Sequence, residues 1–206
     1  MEPLDPLYDW LGLEPTSDQI ALLGRYAAWL VDEAIPAGGL GPLEGERVWA
    51  RHIGDSLAFA QAWIDDLSPN ELLDIGSGSG LPGIPLAIVF PECQVTLLDR
   101  GGRRVRLLER AVRVLGLENA TVRDEDALAL DEKWRAMTFR GSLRLDVAAP
   151  LVRRCLMPTG VAVFGFSTRP DPPPVPNFDG VTTELRKTPP GVLGHTAWLL
   201  NMRLDD

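Results

Sequence analysis

The chain has 206 residues, of which 45% are hydrophobic, and its formal net charge at pH 7 is −9. This length suits one domain with a sizeable core. Two cysteines, Cys93 and Cys155, are too few for a disulfide framework and lack the spacing of a metal site, and no apolar run reaches the roughly 18 residues of a membrane span. The negative charge argues against non-specific nucleic-acid binding but is compatible with a local basic patch. We therefore expect a monomer of the reducing cytoplasm, without a metal or a membrane anchor.

Residues 1–69 are expected to form a helical N-terminal extension that packs on the core. Ser17–Asp18 can cap a helix whose apolar residues follow helical spacing: Ile20, Leu23, Ala27, Leu30 and Val31. The Gly/Pro-rich segment Pro36–Pro42 interrupts it. A second helical stretch is expected from about Glu46 to Leu67, with its end at Ser68–Asn70.

Residues 70–206 alternate between strands and helices, which is the pattern of a parallel sheet with helical crossovers. Five strands are expected at Leu72–Ile75, Val95–Asp99, Ala120–Arg123, Ala136–Phe139 and Val161–Phe166. Helices are expected at Pro82–Phe90, Arg103–Leu115 and Val147–Leu156. A proline-rich loop, Arg169–Pro176, precedes two further strands, Val181–Arg186 and Thr196–Leu204. This pattern predicts an α/β, Rossmann-like fold of the class I methyltransferase type, with a seven-stranded, mostly parallel sheet that ends in an antiparallel C-terminal hairpin.

A glycine loop follows the first predicted strand, with the sequence Asp74-Ile75-Gly76-Ser77-Gly78-Ser79-Gly80. Glycines tolerate positive φ and let backbone N–H groups approach a nucleotide-like ligand closely. Asp99 ends the next strand 19 residues after Gly80, where an acid can accept hydrogen bonds from ribose hydroxyls.

Two ligands compete for this loop, because Gly78–Gly83 also satisfies the dinucleotide pattern G-x-G-x-x-G. Asp74 favours S-adenosylmethionine, since a carboxylate suits a cationic sulfonium or amino group and would repel a pyrophosphate. Pro82 favours it too, because proline removes one of the N–H groups that a helix N-terminus offers to phosphate. A tight turn without a ligand is the third interpretation.

The longer run Leu73–Ala87, with Gly-Leu-Pro-Gly-Ile-Pro at its centre, is more specific than a bare glycine loop. It resembles the core of the bacterial ribosomal RNA small-subunit methyltransferase G family, also called glucose-inhibited division protein B. Further stretches agree in the same order: Arg51–Ser56, Val95–Asp99 with Arg103–Val105, and Leu115–Asn119. The similarity is good over about residues 47–123 and thin outside them.

The resemblance implies methyl transfer from S-adenosylmethionine to N7 of a guanine in small-subunit ribosomal RNA. Guanine N7 carries a free lone pair, so such an enzyme mainly aligns it with the methyl group and excludes water. No Asn-Pro-Pro-Tyr-like motif follows the fourth strand, which weakens the case for methylation of an exocyclic amine.

The site residues follow from the loop and from the resemblance. The loop supplies Asp74, Ser77, Gly78 and Gly80 as expected cofactor contacts. The resemblance implies Gly76 and Leu81 as further loop contacts, Asp99 as the ribose acid, and Ala127 and Leu128 beside the adenine. It also implies that Arg140 lies beside cofactor and substrate, which makes Arg140 the expected catalytic residue. Asp55, Arg103 and Arg104 are the expected contacts to RNA.

Three departures from the family pattern keep other functions open. Pro36–Pro42 stands where the family has an Asn-Leu-Thr motif, Phe164–Phe166 lacks the family's lysine, and Asp124–Asp126 replaces a basic residue. Each lost cation removes an expected phosphate contact. The alternatives are a cofactor-binding paralogue without RNA methylation activity, and a small-molecule methyltransferase with Pro170–Pro176 as a lid.

The remaining features have a functional and a structural interpretation. Four arginines recur at helical spacing and face either an RNA backbone or solvent: Arg103, Arg106, Arg110 and Arg113. His52 and His195 are expected to pack rather than to act as bases, because N7 methylation needs none. Trp10, Trp29, Trp49 and Trp63 are expected to form aromatic core between helices rather than a stacking surface for a base.

Overall fold

The sheet has seven strands: β1 (Glu71–Ile75), β2 (Gln94–Asp99), β3 (Ala120–Asp124), β4 (Trp134–Arg140), β5 (Leu156–Gly165), β6 (Val181–Lys187) and β7 (Trp198–Leu204). Their order is β3-β2-β1-β4-β5-β7-β6. The first five pair in parallel, and β7 is antiparallel to both β5 and β6. The computed structural model describes residues 4–64, 69–166 and 168–205. The predicted seven-stranded sheet with its antiparallel C-terminal hairpin is confirmed.

The α-helices are α1 (Asp5–Leu11), α2 (Ser17–Trp29), α3 (Asp55–Ala58), α4 (Gly83–Val89), α5 (Gly102–Leu115) and α6 (Leu145–Cys155). Within the described ranges, none of the helices has the length and apolar character needed to span a bilayer. The same residues contain no cluster of His, Cys, Asp and Glu that could hold a metal ion.

Helix α2 begins one residue earlier than predicted. The cap is Thr16, whose Oγ1 accepts the Gln19 N–H at 3.3 Å while Gln19 Oε1 accepts the Thr16 N–H at 2.8 Å. This reciprocal pair is a capping box, so Ser17 is the first helical residue and not the cap. The helix continues as a π-helical turn at Leu30–Ala34. Because that turn changes the helical register, Val31 is exposed instead of following the buried face.

The second predicted helix is a succession of helical turns of different kinds. A 3-10 turn at Gly45–Arg47 leads into a π-helical segment at Val48–Gly54, and α3 is followed by a 3-10 helix at Phe59–Trp63. The predicted end at Ser68 lies outside the described residues.

Strand β5 begins five residues before its predicted start at Val161, directly after α6. Its pairing with β4 shifts register between Trp134↔Leu156 and Ala136↔Val161, so the segment with Pro158 and Gly160 bulges out of the ladder. Proline and glycine are tolerated at such a bulge, although they mark an end of regular structure when only the sequence is considered.

Successive residues of β1 enter two different hydrophobic clusters, because side chains alternate across a strand. Leu72 packs in a cluster with Tyr26 and Ile53 of the N-terminal helices. Leu73 packs on the other face with Phe139 and α6. The N-terminal helices therefore share a core with one face of the sheet, and a domain boundary at residue 69 stays a prediction.

The four N-terminal tryptophans pack as predicted. Trp29 and Trp63 are buried, and Trp10 and Trp49 lie half-buried against the same cluster.

Candidate functional site

Three loops meet at the carboxyl edge of the sheet, because β1 lies between β2 and β4. Ligands of open α/β sheets bind at this edge. A cavity of about 210 Å³, here called the loop cavity, opens between the loops. It is lined by Ile75, Gly76, Leu98, Asp99, Arg100, Arg104, Glu125, Asp126, Ala127, Leu128, Gly141, Ser142 and Leu143.

Gly76 is required by both the backbone and the space around it. Its φ is +68°, and a Cβ placed there would lie 2.4 Å from Ser142 Cβ. Only glycine therefore lets the β1 loop and the β4 loop approach each other at the floor of the loop cavity.

Asp99 is fixed at the wall of the loop cavity by two backbone groups. Its Oδ2 accepts the Gly78 N–H at 3.0 Å and its Oδ1 accepts the Gly101 N–H at 3.1 Å. A carboxylate oxygen can accept more than one hydrogen bond, so this buried acid can still bind a ligand hydroxyl.

Asp74 lies beneath the glycine loop and is fully buried. Its Oδ1 accepts from Thr138 Oγ1 at 2.9 Å, and its Oδ2 accepts the Gly83 N–H at 3.0 Å. Burial raises the pKa of this carboxyl to about 6, and these two hydrogen bonds act in the opposite direction. Asp74 is absent from the lining of the loop cavity, so its direct contact with a cofactor stays a prediction. Through these two hydrogen bonds Asp74 connects β1 to α4 and to β4.

The rest of the glycine loop is held from behind. Ser77 Oγ donates to the Asp74 carbonyl at 2.9 Å, and Tyr26 Oη of α2 donates to the Ser79 carbonyl at 2.8 Å. Leu81 is buried in the core that contains Tyr26. The side chains of this loop therefore support its shape, and Ser77, Gly78, Gly80 and Leu81 are absent from the lining of the loop cavity.

An apolar wall closes the loop cavity on the side of β3. Ala127 and Leu128 begin a 3-10 turn that Asp126 caps by accepting the Leu128 N–H at 3.0 Å. Leu128 is 49% exposed and projects where an aromatic ring could cover it. The structure thus places both predicted adenine-bordering residues at the cavity.

The acidic segment Asp124–Asp126 is partly neutralised by arginines. Arg123 forms an ion pair with Glu125, and Arg100 Nη1 lies 3.2 Å from Asp126 Oδ2. These ion pairs reduce the negative charge that the acidic segment presents beside the loop cavity.

A second cavity of about 320 Å³, here called the Arg140 cavity, adjoins the first. It is lined by Leu40, Gly41, Glu44, Arg51, His52, Asp55, Arg140, Gly141, Gly165, Phe166 and Thr168. Gly141 lines both cavities. The structure therefore brings Asp55 and Arg140 together, as the predicted site requires, although they lie 85 positions apart in the sequence.

Arg140 is held by residues of the π-helical segment before α3. Its Nη2 donates to the Arg51 carbonyl at 3.2 Å and lies 3.1 Å from His52 Nδ1. The other ring nitrogen of His52, Nε2, lies 3.0 Å from Glu44 Oε2. Burial lowers the pKa of His52 and the Arg140 charge lowers it further, while Glu44 and Asp55 oppose the shift.

Asp55 has a partner from the far end of the chain. Its Oδ1 lies 2.6 Å from Nε2 of His195, which precedes β7. His195 thus braces the wall of the Arg140 cavity, a structural role of the kind predicted for it.

Arg103 and Arg104 lie at a third cavity, of about 470 Å³, between the first turn of α5 and the glycines Gly38 and Gly39. We call it the α5 cavity. Arg104 also lines the loop cavity, with Nη1 at 3.9 Å from Asp99 Oδ1. The predicted RNA contacts are therefore divided, since Asp55 lines the Arg140 cavity and the two arginines line the α5 cavity.

Sequence reasoning missed several residues of this site: Tyr26, Glu44, Arg51, Ser142 and Phe166. The stretch Arg51–Ser56 belongs to the resemblance and could have pointed to Arg51 and His52 together. Glu44 follows the divergent Gly/Pro-rich segment, so no signal in the sequence marks it.

The strand order, the antiparallel β7 and the glycine loop at the carboxyl edge define the fold of class I methyltransferases. A family model described as rRNA small subunit methyltransferase G matches residues 19–165. The chain belongs to the ribosomal RNA small subunit methyltransferase G family.

Curated relatives carry the same family name. The chain is 43% identical over 106 residues to ribosomal RNA small subunit methyltransferase G of Mycobacterium marinum, covering 51% of this chain and 45% of that protein. It is 35% identical over 140 residues to the protein of that name from Acidothermus cellulolyticus, covering 68% and 62%. The chain thus spans about half the length of the first of these relatives.

Solved structures share the fold at low sequence identity. The S-adenosylmethionine-dependent methyltransferase SibL superposes with a TM-score of 0.57 at 18% identity, over 78% of this chain and 57% of that one. Precorrin-6y C5,15-methyltransferase of Geobacter metallireducens gives 0.50 at 16% identity, over 66% and 81%.

Proposed function

We propose that this protein binds S-adenosylmethionine in the loop cavity and transfers its methyl group to N7 of a guanine in small-subunit ribosomal RNA. The observation that carries the proposal is the meeting of two cavities at Gly141, beside Arg140: one glycine-lined with a buried acid, the other polar with an aromatic wall. Membership of the ribosomal RNA small subunit methyltransferase G family supports the same reaction.

The loop cavity fits the cofactor in three respects. Asp99 offers lone pairs for the ribose hydroxyls, and Ala127 and Leu128 offer apolar surface to the adenine. The Ser142 hydroxyl at this cavity is buried without a hydrogen-bond partner among the described residues, so a ligand atom can satisfy it. When bound, the cofactor supplies a methyl group on a sulfonium centre.

The Arg140 cavity suits a flipped base as the acceptor. Phe166 provides an aromatic side chain for stacking, Arg140 provides donors, and Asp55 provides acceptors. Guanine matches this set, because it presents O6 as an acceptor and its amino and N1–H groups as donors. Arg140 makes hydrogen bonds through Nη2 alone among the described residues, which leaves its other N–H groups to orient the acceptor.

The α5 cavity supports contact with an RNA backbone. Arg103 and Arg104 are exposed beside it, and Arg106 follows them on α5. Arginine neutralises phosphate charge and donates to phosphate oxygens, and such contacts set register without reading bases. This basic surface compensates locally for the negative net charge of the chain.

Two assays test the proposal, and their combination separates it from the alternatives. Calorimetric titration with S-adenosylmethionine and its demethylated product should show binding; no heat with either compound eliminates every cofactor-dependent function. Labelled methyl transfer should then occur to undermethylated small ribosomal subunits and not to fully methylated ones. Binding without transfer to RNA would support the paralogue that has lost RNA methylation, or a small-molecule acceptor.

Substitution of two arginines, one at the site and one on the surface, tests the role of Arg140 with a matched control. Arg140→Ala should lower the rate of transfer by about tenfold to hundredfold, the effect of losing a hydrogen bond from a charged group. Arg153→Ala removes an arginine of α6 that pairs with Asp179 on the surface and should leave the rate unchanged.

A further inference from the structure

Three side chains at the Arg140 cavity form a linear series of hydrogen bonds. Arg140 Nη2 lies 3.1 Å from His52 Nδ1, and His52 Nε2 lies 3.0 Å from Glu44 Oε2. All three residues line the cavity, and His52 is 5% exposed. We call this series the Glu44–His52–Arg140 chain.

The chemistry of the end groups fixes the protonation state of the middle one. A guanidinium has only donors, so His52 Nδ1 must be the acceptor from Arg140. A carboxylate has only acceptors, so His52 Nε2 must carry the proton that it donates to Glu44. The chain is therefore complete only when His52 is neutral and in the Nε2–H tautomer.

We propose that Glu44 and His52 are positioning residues, which hold the Arg140 guanidinium at the wall of the Arg140 cavity so that its remaining N–H groups face the acceptor. This inference rests on the proposed function for its consequence on rate, but the hydrogen-bond geometry carries it independently. Two acceptors on different groups, the Arg51 carbonyl and His52 Nδ1, share Nη2 and so restrict rotation of the guanidinium. Glu44 acts at one remove, because it selects the tautomer of His52.

Protonation of His52 would break the chain. An imidazolium has donors at both nitrogens, so Nδ1 could no longer accept from Arg140 and two cations would face each other. The charged groups around His52 are Glu44, Arg51, Asp55 and Arg140, and Asp55 in turn faces His195 from the loop before β7. Because burial and Arg140 lower the pKa of His52, the neutral form persists to a pH below its ordinary value of 6.5.

Two substitutions of His52 separate positioning from packing. In His52→Asn an amide oxygen can take the place of Nδ1 and accept from Arg140, whereas His52→Gln places its amide near Nε2 and leaves Arg140 without that acceptor. We expect single-turnover methyl transfer to fall less than about threefold in His52→Asn and about tenfold or more in His52→Gln, with cofactor affinity unchanged in both. Equal rates in the two variants, or a greater loss in His52→Asn, would overturn the proposal.

The pH profile is a readout that a purely structural role would not move. The wild-type rate should decline as the pH falls through the lowered pKa of His52, and this decline should be absent from His52→Asn. An unchanged decline in that variant would assign the decline to another group, such as Asp74, and would contradict the proposal.

The tautomer is measured without any methyl acceptor. Nitrogen-15 spectra of the labelled histidines in the wild-type protein should show His52 as the neutral Nε2–H tautomer at pH 7.5, and Glu44→Ala should weaken that preference. Observation of the Nδ1–H tautomer would contradict the Glu44–His52–Arg140 chain even if RNA is methylated. If RNA is not methylated, the proposed function fails, but the tautomer of His52 still shows whether the Glu44–His52–Arg140 chain of hydrogen bonds is formed.

Discussion

Tyr26 Oη donates to the Ser79 carbonyl at 2.8 Å, and this single hydrogen bond joins the N-terminal helix α2 to the glycine loop. Tyr26 is fully buried, and a Cβ on Gly80 would lie 3.1 Å from its hydroxyl. The N-terminal helices therefore support the glycine loop, in addition to covering one face of the sheet.

Removal of this hydroxyl should loosen the glycine loop. Tyr26→Phe leaves a buried carbonyl without its partner, which should cost about 1 to 3 kcal/mol of unfolding free energy and lower cofactor affinity several-fold. Urea denaturation and calorimetry measure the two effects. Tyr8→Phe, which removes the hydroxyl of a half-buried tyrosine in α1, is the control. Equal cofactor affinities for the wild type and both variants would show that the glycine loop keeps its shape without the Tyr26 hydroxyl.

Gly76→Ala should disturb the loop cavity in two ways, because the new side chain strains a backbone with positive φ and also collides with Ser142. The added Cβ would lie 2.4 Å from Ser142 Cβ, so the β1 and β4 loops must separate and cofactor affinity should fall by more than tenfold. Gly116→Ala is a close control, because Gly116 has the same φ of +68° but no atom within 4 Å of the added Cβ. The control should cost about 1 to 2 kcal/mol of stability and leave affinity unchanged; a similar loss of affinity in both variants would contradict the steric explanation.

Asp99→Asn tests the ribose acid. The amide has one acceptor oxygen, which cannot replace both carboxylate oxygens at the N–H groups of Gly78 and Gly101. Cofactor affinity should fall by tenfold or more, whereas Asp146→Asn, at an exposed aspartate of α6, should have no effect. Calorimetry measures both, and an unaltered affinity in Asp99→Asn would remove this residue from the cofactor site.

Asp74 should make the protein less stable as the pH rises from about 4 to 6. Its pKa is about 6 in the folded protein against an ordinary value of 3.8, so in this window the folded state binds more protons than the unfolded state. Stability from this group is therefore present at low pH and lost as the pH rises, by about 3 kcal/mol in total. Asp74→Asn can still accept the Gly83 N–H and should abolish this component, which is seen as the difference between the two proteins in urea denaturation at pH 4 and pH 7. If the difference in unfolding free energy between the two proteins is the same at pH 4 and pH 7, the raised pKa of Asp74 is contradicted.

Arg103→Ala should weaken RNA binding through charge alone. If the α5 cavity contacts the backbone, the slope of log affinity against log salt concentration should decrease by roughly 0.7 to 0.9, one phosphate contact. Filter binding to small-subunit RNA over a range of salt concentrations measures the slope. Arg153→Ala, which removes the same charge from α6, should keep the wild-type slope; identical slopes for all three proteins would place the RNA elsewhere.

The sequence predicted the sheet well, because alternation of apolar strands and amphipathic helices is a local pattern. It failed where tertiary contacts decide the geometry. The position of Asp74 before the glycines predicts a ligand contact, which stays a prediction, but it gives no sign that Thr138, 64 positions away, donates a hydrogen bond to Asp74 Oδ1 in the protein interior. Glu44 and Phe166 belong to the Arg140 cavity only because distant segments fold against each other, and nothing in their own neighbourhoods marks them.

The hydrogen bond between Asp55 and His195 joins residues 140 positions apart, and a buried pair, Gln61 and Asn201, spans the same distance. The loop cavity, in contrast, is built entirely from residues between Ile75 and Leu143. During synthesis the residues that line the loop cavity therefore leave the ribosomal tunnel before the C-terminal hairpin, and the wall of the Arg140 cavity is braced only when His195 emerges. Chains shortened before β6 are accordingly expected to lose the brace of the Arg140 cavity while they keep every residue that lines the loop cavity.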